Sequence, residues 1–213
     1  MIDNRQNIIN ATDSLLQTRG LARLTTREIA RKAKVAEGLI YHHFKDKAEL
    51  IFEVVETRVR ETKNLMLNLP LELGKSTLLK NLEDVLLSVY YAQYEITPII
   101  CSMFADQKLH DRIKEIVKER NVGPQYAIEG LDVYLAAEQR LGRLSDAVDT
   151  NTLATCLWMI STQSAMLDRL LGNQPDQTHI SRTIHNNLQT LMIGFEPRPK
   201  TLKKTGLKKS QKL

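Results

Sequence analysis

Apolar residues recur along this chain at the three-and-four spacing of amphipathic helices, and no stretch shows a convincing strand-like alternation. Residues 4–19 place Ile8, Ala11, Thr12, Leu15 and Leu16 at helical spacing, and Gly20 ends the segment as helix-terminating glycines do. "LTTREIARKA" follows, and its Thr25-x-x-Glu28 spacing predicts a reciprocal cap ahead of Ile29, Ala30 and Ala33. A break at Lys34–Ala36 separates it from "EGLIYHHF". A long helix is predicted from Asp46 to about Leu67, with Leu50, Val54, Val59 and Met66 on one stripe and Pro70 closing it. Further helices are expected at about 75–96, stopped by Pro98, and at about 99–107. The remainder fall at about 110–120, ended by Gly123-Pro124, then at about 125–141, 149–172 and 177–194. The pattern predicts an all-α fold.

The last two helices differ from the rest. In "TNTLATCLWMISTQSAMLDRLL" apolar or small residues occur all round the helix, and charge is absent until Asp168. In "HISRTIHNNLQTLMIGF" the residues Ile180, Ile184, Leu188, Leu191 and Phe195 form one stripe, widened by Met192 and Ile193. Periodicity fits two arrangements equally: a central helix pair in a bundle, or a pair that also meets a second copy.

Charge changes the picture because it is unevenly spread. Residues 1–50 hold nine Lys/Arg against six Asp/Glu, residues 51–197 fourteen against nineteen, and residues 198–213 seven against none. The basic ends point to a polyanionic partner. The tail "KTLKKTGLKKSQKL" has no core-forming stripe and is expected to be disordered. No apolar run approaches the ~18–20 residues of a membrane span, and "MIDNRQNIIN" is polar where a signal peptide is apolar, so a cytoplasmic protein is expected. Cys101 and Cys156 lie in apolar surroundings and are expected to be reduced and buried.

Helix, short break, helix across residues 25–44 has the dimensions of a helix-turn-helix supported by the helix before it. On a helical wheel Ile40 and Phe44 share a face that can meet Ile29, Ala33 and Val35. His42 lies opposite, with Gly38 and Leu39 beside it and Tyr41 at the flank. Such a helix has a packed back and a short-chained, hydrogen-bonding front that a major groove admits. The adjacent histidines diverge by about 100° on a helix and have no further ligand at metal spacing. No metal or cofactor is therefore expected. Nothing in the sequence suggests an enzyme: there is no nucleophile with a base in context and no nucleotide loop.

"LTTREIARKAKVAEGLIYHHFKDKAEL" resembles the DNA-binding signature of the TetR family of transcriptional regulators. The shared features are a capped helix with Ile-Ala, a turn ending in Val, the Ile-Tyr pair, the later aromatic, and then Lys and Leu. "LGRLSDAVDTNTLA" more weakly resembles the stretch entering the family's penultimate long helix. One departure is Lys34, where the family usually has Gly; a positive φ there costs a lysine roughly 1 kcal/mol. The resemblance implies a DNA-reading head at residues 1–47, a helical effector-binding and dimerisation body at 48–197, and the basic tail at 198–213. It also implies a homodimer through the helices at about 149–172 and 177–194, binding a palindromic operator in double-stranded DNA as a repressor and released by a small-molecule effector. An effector-independent or architectural DNA-binding protein with the same head is the alternative.

Expected roles follow residue by residue. Thr25 and Thr26 stand at a helix N-terminus, where a cap and exposed N–H groups can hold a phosphate. Arg27 can reach a guanine edge or a phosphate. Glu37 either suits the helix dipole or accepts from cytosine N4. Gly38 and Leu39 allow close or apolar contact. The resemblance makes Tyr41 and Lys47 phosphate contacts; His42 is expected in the groove and His43 on the DNA backbone. In the body, aromatic and sulfur-containing residues cluster in the middle third. Tyr90, Tyr94, Met103, Phe104, Tyr126 and Trp158 are candidate walls of a pocket for a lipophilic or aromatic effector, against the plain alternative that they are core.

Overall fold

The computed structural model describes residues 3–195; the basic tail expected to be disordered lies outside them. Among these described residues nine α-helices follow one another: α1 Asn4–Arg19, α2 Thr26–Ala33, α3 Glu37–His43, α4 Lys47–Asn68, α5 Leu78–Phe104, α6 Gln107–Arg120, α7 Pro124–Arg140, α8 Thr150–Leu171 and α9 Gln177–Phe195. Short 3₁₀ turns stand at Leu21–Arg23 and Leu69–Glu72. Among the described residues there is no strand, and no helix is long and apolar enough to cross a membrane.

Local chemistry sets most of the boundaries. Asp3, Thr25, Asp46, Thr77, Asp106 and Asp149 each accept a hydrogen bond from the N–H three residues on, capping α1, α2, α4, α5, α6 and α8. At the other ends Gly172 closes α8 in the left-handed region, and Lys34 does the same for α2 at φ 57°. The lysine thus adopts the strained turn that its position implied, with its N–H donating to Ala30 and Arg31 carbonyls.

Two expectations fail. Pro98 does not stop a helix: α5 runs through it to Phe104. Losing one backbone hydrogen bond and crowding the carbonyl four residues back costs roughly 3 kcal/mol. Ile96 and Thr97 on one side of Pro98, and Ile99 and Met103 on the other, are all buried, and each large apolar side chain so buried contributes about 1.5–3 kcal/mol. Packing outweighs the break. The cysteines are unbonded but exposed rather than buried; each sits on the outward face of its helix, a matter of rotation that apolar neighbours in sequence do not reveal.

Two hydrophobic cores result. One gathers α5, α7, α8 and α9 around Tyr90, Leu131, Tyr134, Leu157 and Leu188. The other joins α1, α2, α3 and the start of α4 to the end of α5 and to α6, through Ile8, Ile29, Ile40, Phe44, Leu50, Met103, Ile113 and Ile116. The three N-terminal helices therefore share a core with α6.

Candidate nucleic-acid interface

α2 begins where the sequence predicts. The Thr25 hydroxyl accepts from Glu28 N–H at 3.3 Å and donates to Glu28 Oε2 at 3.1 Å, while Arg19 pairs with the same carboxylate. Three residues separate α2 from α3, and Ile40 and Phe44, each 1% exposed, seat α3 on Ile29 and Ala30. This fixes which side faces out: Glu37, Gly38, Tyr41 and His42 are exposed, and Leu39 and His43 are half-buried. A Cβ built on Gly38 would meet no heavy atom within 4 Å. The front of α3 is open, and its backbone can be approached closely at Gly38.

The other expected residues divide. Arg27 is exposed at the first turn of α2, without an ion-pair partner among the described residues. Thr26 is half-buried, and its hydroxyl donates to Glu37 Oε1 at 2.5 Å, tying the start of α2 to the start of α3. Lys47 is half-buried with Nζ donating to the Leu24 carbonyl at 2.6 Å. Burial pushes its pKa down, against the attraction of Asp106. The His42 and His43 rings stand 5.3 Å apart, edge to face. Among the described residues no three His, Cys, Asp or Glu side chains are grouped to hold a metal ion.

The electrostatics of the head depend on its acids. Asp13 takes Arg58, Glu28 takes Arg19, Asp46 takes Arg112 at 2.8 Å, and Glu49 takes Arg120 at 2.5 Å. Burial opposes ionisation of Asp46, but Arg112 and the Glu49 N–H outweigh it and hold the carboxyl below its usual value. Glu53 is held low in the same way, by Arg120 and Arg5 against burial. Sequence reading missed Arg58, Arg112 and Arg120, which reach Asp13, Asp46 and Glu49 across 45 to 71 residues. Arg23, Arg27, Arg31, Lys32, Lys34 and Lys45 remain on the head's surface.

In the body, the six residues proposed as pocket walls do not come together. Tyr90 and Tyr94 are buried in the larger core, donating to Asp168 at 2.6 Å and to the Asn173 carbonyl at 2.8 Å. Trp158 packs against that core, and Met103 belongs to the other. Phe104 and Tyr126 are exposed. An open cleft of ≈510 Å³ instead lies between α4 and α5, lined by residues including Arg58, Glu61, Thr62, Ser88, Tyr91 and Glu95. The signal for it was the polar spacing 58–61–62 on α4 and 88–91–95 on α5, which marks one side of each helix.

Known proteins align with this arrangement. Residues 8–54 match the model for bacterial regulatory proteins of the tetR family. Nucleoid occlusion factor SlmA of Vibrio campbellii is 25% identical over 166 residues, spanning 69% of this chain and 83% of that one. The HTH-type transcriptional regulator TtgR of Pseudomonas putida is 26% identical over 162 residues, spanning 73% and 75%. The crystal structure of the transcriptional regulator FadR from Bacillus subtilis in complex with stearoyl-CoA superposes with a TM-score of 0.65, at 18% identity over 86% of this chain and 96% of that one. The head at residues 8–54 thus matches the DNA-binding part of the bacterial tetR-family regulators, and the order of the helices behind it is similar to theirs: the findings fit a DNA-binding regulator that resembles that family.

Proposed function

We propose that the protein is a repressor that binds a palindromic operator as a homodimer and is released by a small-molecule effector. The observation that carries this reading is the front of α3: exposed, short-chained, open at Gly38, on a head whose acids are mostly paired. In a two-fold dimer, two such helices about 34–36 Å apart enter successive major grooves. Tyr41, Arg27 and the N–H groups at the start of α2 then meet phosphates, while Glu37, Gly38, Leu39 and His42 face bases and His43 lies toward the backbone. The Thr25 and Thr26 hydroxyls already have partners within the head, and Lys47 already holds Leu24. Their part is to fix the angle at which α3 is presented.

Dimerisation through α8 and α9 is supported by the apolar side chains they leave uncovered: Met159, Met166, Leu167 and Leu170 on α8, and Ile193, 80% exposed, on α9. For the effector, the α4–α5 cleft offers more hydroxyl and charged groups than the lipophilic pocket expected from sequence. A ligand wedged there would move α4 against α6. Arg112 and Arg120 bind α6 to the first two turns of α4, so that movement reaches the head. Coupling of this kind is typically about 1–3 kcal/mol.

Likeness to a nucleoid occlusion factor over two thirds of the chain favours a second reading, a DNA-binding protein that answers to no small effector. Selection of bound sequences from a random duplex pool, compared between the native protein and Tyr41→Ala and His42→Ala, tests the first. The expected result is an enriched palindrome, weakened at all sites by Tyr41→Ala and relaxed at one or two positions by His42→Ala. Absence of any enriched sequence refutes sequence-specific repression. Operator complexes that no ligand in a broad small-molecule panel dissociates would favour the second reading.

A further inference from the structure

Among the described residues, Glu37 is the acid of the head that faces outward from α3 with no cation paired to it. Its carboxylate receives the Thr26 hydroxyl at 2.5 Å through Oε1. Asp13, Glu28, Asp46 and Glu49 are all engaged by guanidinium groups, and Asp3 caps α1. A free carboxylate on a phosphate-facing surface weakens binding to every sequence alike through repulsion within a Debye length of about 8 Å. Such a cost is recovered where the carboxylate accepts a hydrogen bond from a base edge.

The chemistry of that edge is restrictive. An ionised carboxylate only accepts hydrogen bonds. Guanine presents N7 and O6 and thymine presents O4, all acceptors; adenine pairs its amino group with the N7 acceptor; cytosine offers N4–H alone. Thr26 holds the carboxylate through Oε1 and leaves Oε2 free to meet a donor. Gly38 beside it adds no side chain to hold the backbone away. We propose that Glu37, oriented by Thr26, selects a cytosine at one symmetric position of each half-site. The proposal rests on the assignment of α3 as the DNA-reading helix. Thr26 is then a positioning residue, since it acts through Glu37 and not on the base.

A plain structural role for the Thr26–Glu37 bond, joining α2 to α3, would lower stability and weaken all sequences equally. Selection from a random duplex pool separates the two, using the full chain and the variants Glu37→Gln, Thr26→Val and Thr26→Ser, each checked for thermal melting. The native protein should prefer cytosine at that position by roughly tenfold, within the range of a base-edge contact. Glu37→Gln should bind non-specific duplex more tightly and change the preferred letter from cytosine to adenine, since an amide both donates and accepts. Thr26→Val should flatten the cytosine preference severalfold, and Thr26→Ser should restore it. An operator whose letters are the same for the native protein and Glu37→Gln overturns the proposal while leaving α3 as the reading helix. A native protein that enriches no sequence overturns the DNA-reading assignment, and the proposal with it.

Discussion

Replacing Arg143 with methionine should destabilise the protein by about 3 kcal/mol at neutral pH, because it strands a carboxylate in the body core. Glu138 on α7 is fully buried, and Arg143, in the turn to α8, donates to it from Nε at 2.5 Å and Nη2 at 2.6 Å. The same guanidinium donates from Nη1 to the Ser76 carbonyl at 2.7 Å, joining the α7–α8 turn to the entry of α5. Next to this pair Asn81 donates to the Tyr134 hydroxyl at 2.8 Å. Burial first, then Glu138, push the Tyr134 phenol up, against the Asn81 amide. Removing one partner of a buried pair costs about 3–5 kcal/mol, and the lower end applies because Arg143 keeps 29% of its side chain in water. With a urea slope of about 2 kcal/mol/M, the midpoint should fall by about 1.5 M at fixed protein concentration. The double variant Glu138→Leu with Arg143→Met, which leaves no charge behind, should recover most of the loss. A midpoint shift below about 0.5 M at pH 7, or a double variant no more stable than Arg143→Met alone, would refute the reasoning.

The arginine links between α6 and α4 give a second test, in acid. Asp46 and Glu53 are held below their usual values, so the stability they contribute is present above the unfolded carboxylate range and is lost as pH falls through their depressed folded values. Arg112→Met should therefore cost more stability at pH 6 than in acid below the usual carboxylate range, as read by urea midpoints, the difference growing as pH falls; an equal cost at both would mean that the contact is packing alone. On the outer face of α8, Met166→Glu with Leu170→Glu should yield a monomer by sedimentation equilibrium with an unchanged helical spectrum, since both side chains are exposed. A dimer that persists in that variant would move the interface elsewhere.

Most helix boundaries were readable because they are written within four residues of themselves. Thr25 and Glu28, Asp46 and Glu49, and Asp149 and Thr152 decide their own helix starts, whatever the rest of the chain does. α3 was readable for the same reason: Ile40 and Phe44 against Ile29 is a contact within one motif. Pro98 misled because its local cost is fixed while the compensation comes from residues that pack against α6 and the head. The tyrosines misled in another way. Tyr90 and Tyr94 are as compatible with a pocket as with a core, and only Asp168 and Asn173, more than seventy residues later, take up their hydroxyls. The α4–α5 cleft needs two helices in register, and no single stretch encodes that.

The division of charge along the chain has the same non-local character, and it bears directly on how the head meets DNA. Taken alone, residues 1–50 carry nine bases and six acids, a modest excess. In the fold, three of those acids, Asp13, Asp46 and Glu49, are matched by Arg58, Arg112 and Arg120 from the mildly acidic remainder. The body thus lends the head its cations, and a fourth acid, Glu28, is met by Arg19 from within. The head's surface bases therefore act with less internal compensation than the composition implies. At the same time the borrowed arginines place the neutralising charges on α4 and α6, the elements that join the head to the body. Under the proposed function, a rearrangement that draws α6 away from α4 would uncover Asp46 and Glu49 and so reduce the head's attraction for phosphates as it reorients α3. Attraction and geometry would be lost together, making the proposed release steeper than either change would produce alone.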